Sequence, residues 1–324
     1  MIKLEWVLWL VAALFLANAV IRLTDSTDRK HVGGAAFWAV LAFTFAYGGQ
    51  VKKTGASAFV EGIAVLALAV LAGVGFPGKG TRELVTDDEK VAGARRFGNK
   101  LFLPALLIPI IAVIFGSALS KVHIGKQLLL EDSSATIIGL GVASVVALFV
   151  AMVLFKVKSP ATPFRESDRL LGHIGWAAIL PQYLATLGIL FTAAGVGKAV
   201  GKITGSVLPK HFLLAAVIVY CLGMLVFTVI MGNAFAAFPV MTAAVGWPIL
   251  VQQYHGHPAP IFAIGMLAGF CGTLITPMAA NFNLVPAALL ELKDQYGPIK
   301  AQLPTAIPLW ICNVALMYFL CFSR

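Results

Sequence analysis

Charge is what this sequence most conspicuously lacks. Asp, Glu, Lys and Arg make up 12% of the 324 residues, and 60% are hydrophobic. Soluble domains run at about 25% charged and 45–50% apolar. A water-soluble fold could not cover this much apolar surface, so the composition places the chain among polytopic membrane proteins. Cysteine is also scarce. Cys221, Cys271, Cys312 and Cys321 all fall in apolar stretches without metal-ligand spacing. They read as small buried hydrophobes, not a disulfide framework or zinc site. The acids are outnumbered, giving a formal net charge of +10. The basic residues lie in connecting loops, which fits topology bias and anionic lipid and excludes a nucleic-acid face.

Two motif resemblances fail for want of a partner. Gly73 to Lys79 has phosphate-loop spacing, but Gly80 stands where Ser or Thr is required and a membrane span precedes it. His255-Gly-His257 could ligate a metal, but no third ligand is near in sequence, so it reads as a loop between spans and no metal site is expected.

The absence is deepest from Phe212 to Leu290, where there is no Asp, Glu, Lys or Arg. This stretch is apolar enough for a bilayer yet broken by Gly, Pro and Asn. Gly232, Asn233 and Pro239 form one interruption, and Gly246-Trp247-Pro248 is a further turn signal. The simplest geometry for 233–250 is a re-entrant hairpin of two short helices, buried under protein or lining a cavity. The apolar run Ile261–Leu292 is too long for one straight crossing of a core about 30 Å thick. A break is expected near Thr276-Pro277. Broken helices expose a positive N-terminus that can hold a carboxylate and free carbonyls that can hold Na⁺. Asn233, Thr273, Thr276, Asn281 and Asn283 supply neutral ligands there and are the candidate substrate or ion-binding residues. No mid-membrane acid is present in the stretch for a proton relay. Elsewhere, Glu61 lies near the start of a span and is a candidate coupling residue.

The expected fold is all-α and polytopic, with about nine transmembrane helices, a re-entrant hairpin and at least one interrupted helix. The spans fall near 4–23 (Ala17-Asn18-Ala19 resembles a cleavage site, but the run reads as an uncleaved first helix), 33–49, 56–76, 101–119, 136–155, 173–196, 211–230, 261–292 and 306–322. Leu180-Pro181-Gln182 predicts a kink or a second interrupted helix in the sixth. Thr86-Asp-Asp-Glu89 is a capping box that should start a short surface helix. All of 1–324 reads as a single membrane domain, with N-terminal helices at 1–210, the candidate site region at 211–292 and a C-terminal helix at 293–324. Lys and Arg are denser in the loops that face inward if the N-terminus is outside and the C-terminus inside.

At Leu4-Glu-Trp-Val-Leu-Trp9, Gly232-Asn-Ala-Phe-Ala-Ala-Phe-Pro239 and Gly272-Thr-Leu-Ile-Thr-Pro-Met-Ala-Ala-Asn-Phe-Asn283, the sequence resembles a bacterial permease family long called uncharacterised. That family is identified with one subunit of a two-subunit pyroglutamate (5-oxoproline) transporter and is related to the ion-transporter superfamily of carboxylate carriers. The resemblance runs the whole length. It implies inverted repeats with hairpins and interrupted helices, whose Asn and Thr residues bind substrate carboxylate and Na⁺ as coupling ion. It further implies a bacterial inner-membrane location, a small carboxylate substrate, no other cofactor, and a second, shorter membrane subunit beside the lipid bilayer. Two other classes compete. A membrane-embedded enzyme would need an acid, base or metal near the bilayer, which the charge-free centre does not offer. A non-catalytic scaffold subunit would need no site at all.

Overall fold

The computed structural model describes residues 1–25, 29–77, 86–124, 127–131, 134–207 and 212–322. The chain divides into two compact units, Met1–Gly175 and Trp176–Arg324. It is an all-α membrane fold; among the described residues the extended pairing is a short antiparallel ladder, His123–Ile124 with Gln127–Leu128, and an isolated parallel bridge of Ile2 with Leu130.

The first unit contains α1 (Leu4–Thr24), α2 (His31–Thr54), α3 (Ala58–Gly73), α4 (Asp87–Phe97), α5 (Phe102–Ser117), α6 (Ala135–Leu154) and α7 (Thr162–Ile174). Helix α1 packs along α2, and α5 along α6. The Leu4 amide donates to Glu131 Oε2 at 2.7 Å, which puts a carboxylate at the positive end of α1. The predicted capping box is formed: the Glu89 amide donates to Thr86 Oγ1, and the Thr86 amide to Glu89 Oε2. Helix α4 then runs on through one 3₁₀ turn into α5.

The second unit contains α8 (Leu180–Ala193), α9 (Val196–Val207), α10 (Leu213–Met231), α11 (Ala234–Met241), a π-wound segment Thr242–Gln253, α12 (Pro258–Ile275), α13 (Leu284–Leu289) and α14 (Gly297–Leu320). Its core lies where α10, α12, α14 and the π segment meet, around Tyr220, Met224, Leu250 and Met317.

Nine helical runs among the described residues are long and apolar enough to cross a membrane. The number matches the expectation, but its members do not all. Helix α3 has 16 residues, about 24 Å at 1.5 Å per residue, short of a ~30 Å core. In its place, 234–253 forms one continuous 20-residue run. The turn expected at Gly246–Pro248 does not occur. Gly246 answers to packing instead: a Cβ there would stand 3.0 Å from the Tyr220 ring and 3.2 Å from Phe262. Pro248 is carried within the π winding.

Other boundaries move for similar reasons. The sixth span breaks ahead of the Pro181 signal, in a 3₁₀ turn at Gly175–Ile179, and Pro181 sits in the first turn of α8, where proline fits best. Residues 197–207, which carry Lys198 and Lys202 and fall between the expected spans 173–196 and 211–230, belong to helix α9. Helix α14 starts at Gly297, not near Ala306, with Pro298 in its first turn and Pro304 and Pro308 inside. Cys312 is exposed, unlike the other three cysteines. The His255–His257 segment is the short turn ahead of α12. The phosphate-loop-like residues Lys79 and Gly80, and Arg82, Lys126, Lys210 and His211, lie outside the described residues.

Candidate functional site

The two interruptions expected in the charge-free stretch come together in the second unit. The first is Gly232-Asn233. Gly232 closes α10 in a left-handed conformation, φ 66°. Glycine is required there twice over, because a Cβ would stand 2.5 Å from the Met278 carbonyl oxygen and 2.6 Å from Leu184 Cδ1. Asn233 follows in extended conformation as the N-cap of α11, and its Oδ1 accepts from the Phe235 amide at 2.8 Å.

The second interruption is the predicted break. Helix α12 stops at Ile275, and Thr276 is extended at φ −117°, ψ 135°. Residues 276–283 then cross to the six-residue α13. Two side chains hold the break open. Asn283 Nδ2 donates to Thr273 O at 2.9 Å and to Thr276 O at 2.7 Å. Thr276 Oγ1 donates to the Val229 carbonyl of α10 at 2.8 Å and accepts from the Met278 amide at 3.2 Å. These bonds serve backbone groups that a broken helix leaves orphaned.

Between the interruptions lies a cavity of about 200 Å³. Asn233, Thr273 and Asn281 supply its polar lining, and Leu184, Phe270 and Phe282 part of its apolar wall. No charged residue lines it. At about 30 Å³ per water, it has room for a ligand the size of six or seven waters. Asn281 is exposed to this space. Thr273 is 1% exposed, and its Oγ1 donates to Phe270 O at 2.6 Å, which leaves the hydroxyl lone pairs as acceptors. Asn233 and Phe235 also border a wider, more open apolar hollow of about 540 Å³ against Gly188, Thr192 and Pro239.

The five candidate residues therefore divide. Asn233, Thr273 and Asn281 share the cavity. Thr276 and Asn283, 2% and 0% exposed, do not line it and instead fix the backbone that shapes it. Glu61 belongs to the other unit, in the first turn of α3, with Oε1 3.8 Å from where a Gly48 Cβ would stand; Glu5 borders the adjacent Gly49.

Sequence reasoning overlooked several buried polar groups. Thr228 of α10 is 0% exposed, and its Oγ1 meets no protein hydrogen-bond partner. It faces α12 where Gly269 and Gly272 bring the two backbones close. Small residues at this spacing on α12 were the available signal. In the first unit, Arg22 is 2% exposed and pairs with Asp168 at 3.1 Å. Asp168 falls in the loop expected between the spans at 136–155 and 173–196. The available signal was a guanidinium inside the last turn of an apolar helix, one turn beyond Asn18.

No curated protein matches this chain. No solved structure matches it either. A family model does match, over residues 5–322, and the chain accordingly belongs to the family described as protein of unknown function, DUF979.

Proposed function

We propose that this chain is the integral-membrane subunit of a secondary active transporter for a small organic anion, with pyroglutamate (5-oxoproline) the substrate suggested by the family resemblance, and that it is a carrier and not an enzyme. One observation carries the reading: two helix interruptions in a stretch free of charge meet at a small cavity lined by Asn233, Thr273 and Asn281. Carboxamides both give and accept hydrogen bonds, as a ligand with one lactam and one carboxylate needs. Interrupted helices add dipole ends without placing a charge in the bilayer.

In this reading the protein sits in a bacterial inner membrane with its N-terminus out and C-terminus in. A shorter membrane subunit supplies a second repeat, and a Na⁺ or H⁺ gradient drives uptake. Glu61 is the candidate for proton coupling. The test is uptake of labelled pyroglutamate into proteoliposomes, with and without the partner subunit and each gradient. Saturable uptake that Asn281→Ala weakens supports the assignment. Absence of saturable uptake of any carboxylate under either gradient overturns it. Normal uptake by Asn281→Ala moves the site elsewhere.

A further inference from the structure

Helices α5 and α6 pack antiparallel in the first unit. A Cβ on Gly116, near the end of α5, would stand 2.6 Å from Thr136 Oγ1 at the start of α6, and one on Gly139 would stand 2.6 Å from Phe115 Cβ. The start of α5 and the end of α6 therefore share the opposite membrane face. There the Phe97 and Phe155 rings meet edge to face, with centroids 4.9 Å apart. Five basic residues flank this contact. Arg95 and Arg96 precede Phe97 in the last turn of α4, Lys100 lies in the 3₁₀ turn ahead of α5, and Lys156 and Lys158 follow Phe155. All five are exposed. The Arg96 guanidinium carbon stands over the Phe97 ring, 5.2 Å from its centroid. Among the described residues no carboxylate pairs with any of the five. The acid of α4 closest to them in sequence, Glu89, lies about 9 Å from Arg95 along the helix axis.

Lys156 is the unusual member. It follows α6 at φ 52°, where its amide donates to Val153 O at 3.2 Å and the Val157 amide to Met152 O at 2.9 Å. That is a Schellman turn, whose left-handed residue is usually glycine. A lysine there carries a conformational cost that a contact made by its charge would offset. The apolar helices start at Phe102 and stop at Leu154, so the cluster begins within two residues of the hydrocarbon, at the level of the lipid phosphates. Long basic side chains reach that level with their stems on apolar surface. Groups of about four to eight Lys and Arg beside a membrane helix attract anionic headgroups. We propose that this corner of α4, α5 and α6 binds the phosphate of an anionic phospholipid, with Arg95, Arg96, Lys100, Lys156 and Lys158 as the cations that hold it. The site does not depend on the carrier reading.

The experiment follows the unfolding temperature of the full-length chain in a non-ionic detergent. The additives are dioctanoyl phosphatidylglycerol, dioctanoyl phosphatidylcholine and free glycerol phosphate. The expected result is a saturable upward shift with phosphatidylglycerol alone. A basic group near an anionic surface is worth about fivefold in affinity, so Lys156→Gly should raise the half-saturating phosphatidylglycerol concentration about fivefold. Glycine suits the left-handed turn, so this variant should fold. Arg95→Gln, Arg96→Gln and Lys156→Gly together should raise it at least tenfold. Lys121→Gln removes one charge beyond the other end of α5 and should titrate like wild type. Equal shifts with phosphatidylcholine, or a Lys156→Gly protein that titrates like wild type, overturn the site. Lys121→Gln weakening the response as much as Lys156→Gly overturns it too, in favour of diffuse attraction to net charge. A matching shift with glycerol phosphate overturns the lipid as occupant and assigns the corner to a soluble phosphate.

Discussion

Replacing Asn283 with Leu keeps the approximate shape of the side chain and removes its two donors. The Thr273 and Thr276 carbonyls, held at 2.9 and 2.7 Å, lose their side-chain partner in a buried setting. A buried group left without its partner costs about 1–3 kcal/mol, which gives about 2–6 kcal/mol for the pair. The substitution also removes the undonated Oδ1, which returns about 1–3 kcal/mol. The expected net loss is about 1–3 kcal/mol, measurable as a lowered midpoint of detergent-induced unfolding. Asn281 provides the internal comparison. Its side chain is exposed to the cavity, so Asn281→Ala should leave stability within about 0.5 kcal/mol of wild type while weakening transport. A stable Asn283→Leu protein, or a destabilised Asn281→Ala protein with normal uptake, would refute the division between residues that shape the break and residues that line the cavity.

Three further outcomes are expected. Gly232→Ala forces a side chain onto a left-handed residue and into Met278 O and Leu184, and should cost more than the ~1–2 kcal/mol of the backbone conformation alone; unaltered unfolding would contradict the geometry. Asp168→Asn removes the charge paired with the buried Arg22 and should cost about 3 kcal/mol, whereas Arg22→Met with Asp168→Leu should recover most of it, read in the same unfolding assay. Hydrogen bonds from Lys300 Nζ and the Tyr296 amide hold the Asp294 carboxyl below its ordinary pKa. A depressed folded value means a small contribution present above the ordinary carboxylate range and lost as pH falls through the folded value, so Lys300→Ala should flatten the acid limb of the stability–pH curve.

Much of the architecture was legible because the physics behind it is local. Long apolar runs identified most of the spans, and Thr86 and Glu89 marked a helix start that depends on four consecutive residues. The α12 break was legible because a largely apolar run of thirty-two residues, Ile261–Leu292, exceeds one membrane thickness and Pro277 follows Thr276. Gly246 and Pro248 misled for the opposite reason. A glycine that loosens a helix and one that admits a neighbouring ring look alike in sequence, and only the position of Tyr220 and Phe262 separates them. Helix α9 was missed because its Lys198 and Lys202 resemble a loop. Its Gly197 and Gly201 approach the backbone at Val240 and Ala244, a close fit that exists only once the helices are packed.

The sequence alone determined that this chain lives in a bilayer, that its charge-free centre is twice interrupted, and that Asn and Thr are the polar groups available there. Those properties follow from composition and spacing along the chain. Tertiary structure decided what each of those residues does. Asn281 and Asn283 are two positions apart and chemically identical, yet one opens onto the cavity and the other is buried against the end of α12. A side chain's role depends on which distant groups the fold brings within hydrogen-bonding distance, and for Asn283 those are the carbonyls of Thr273 and Thr276.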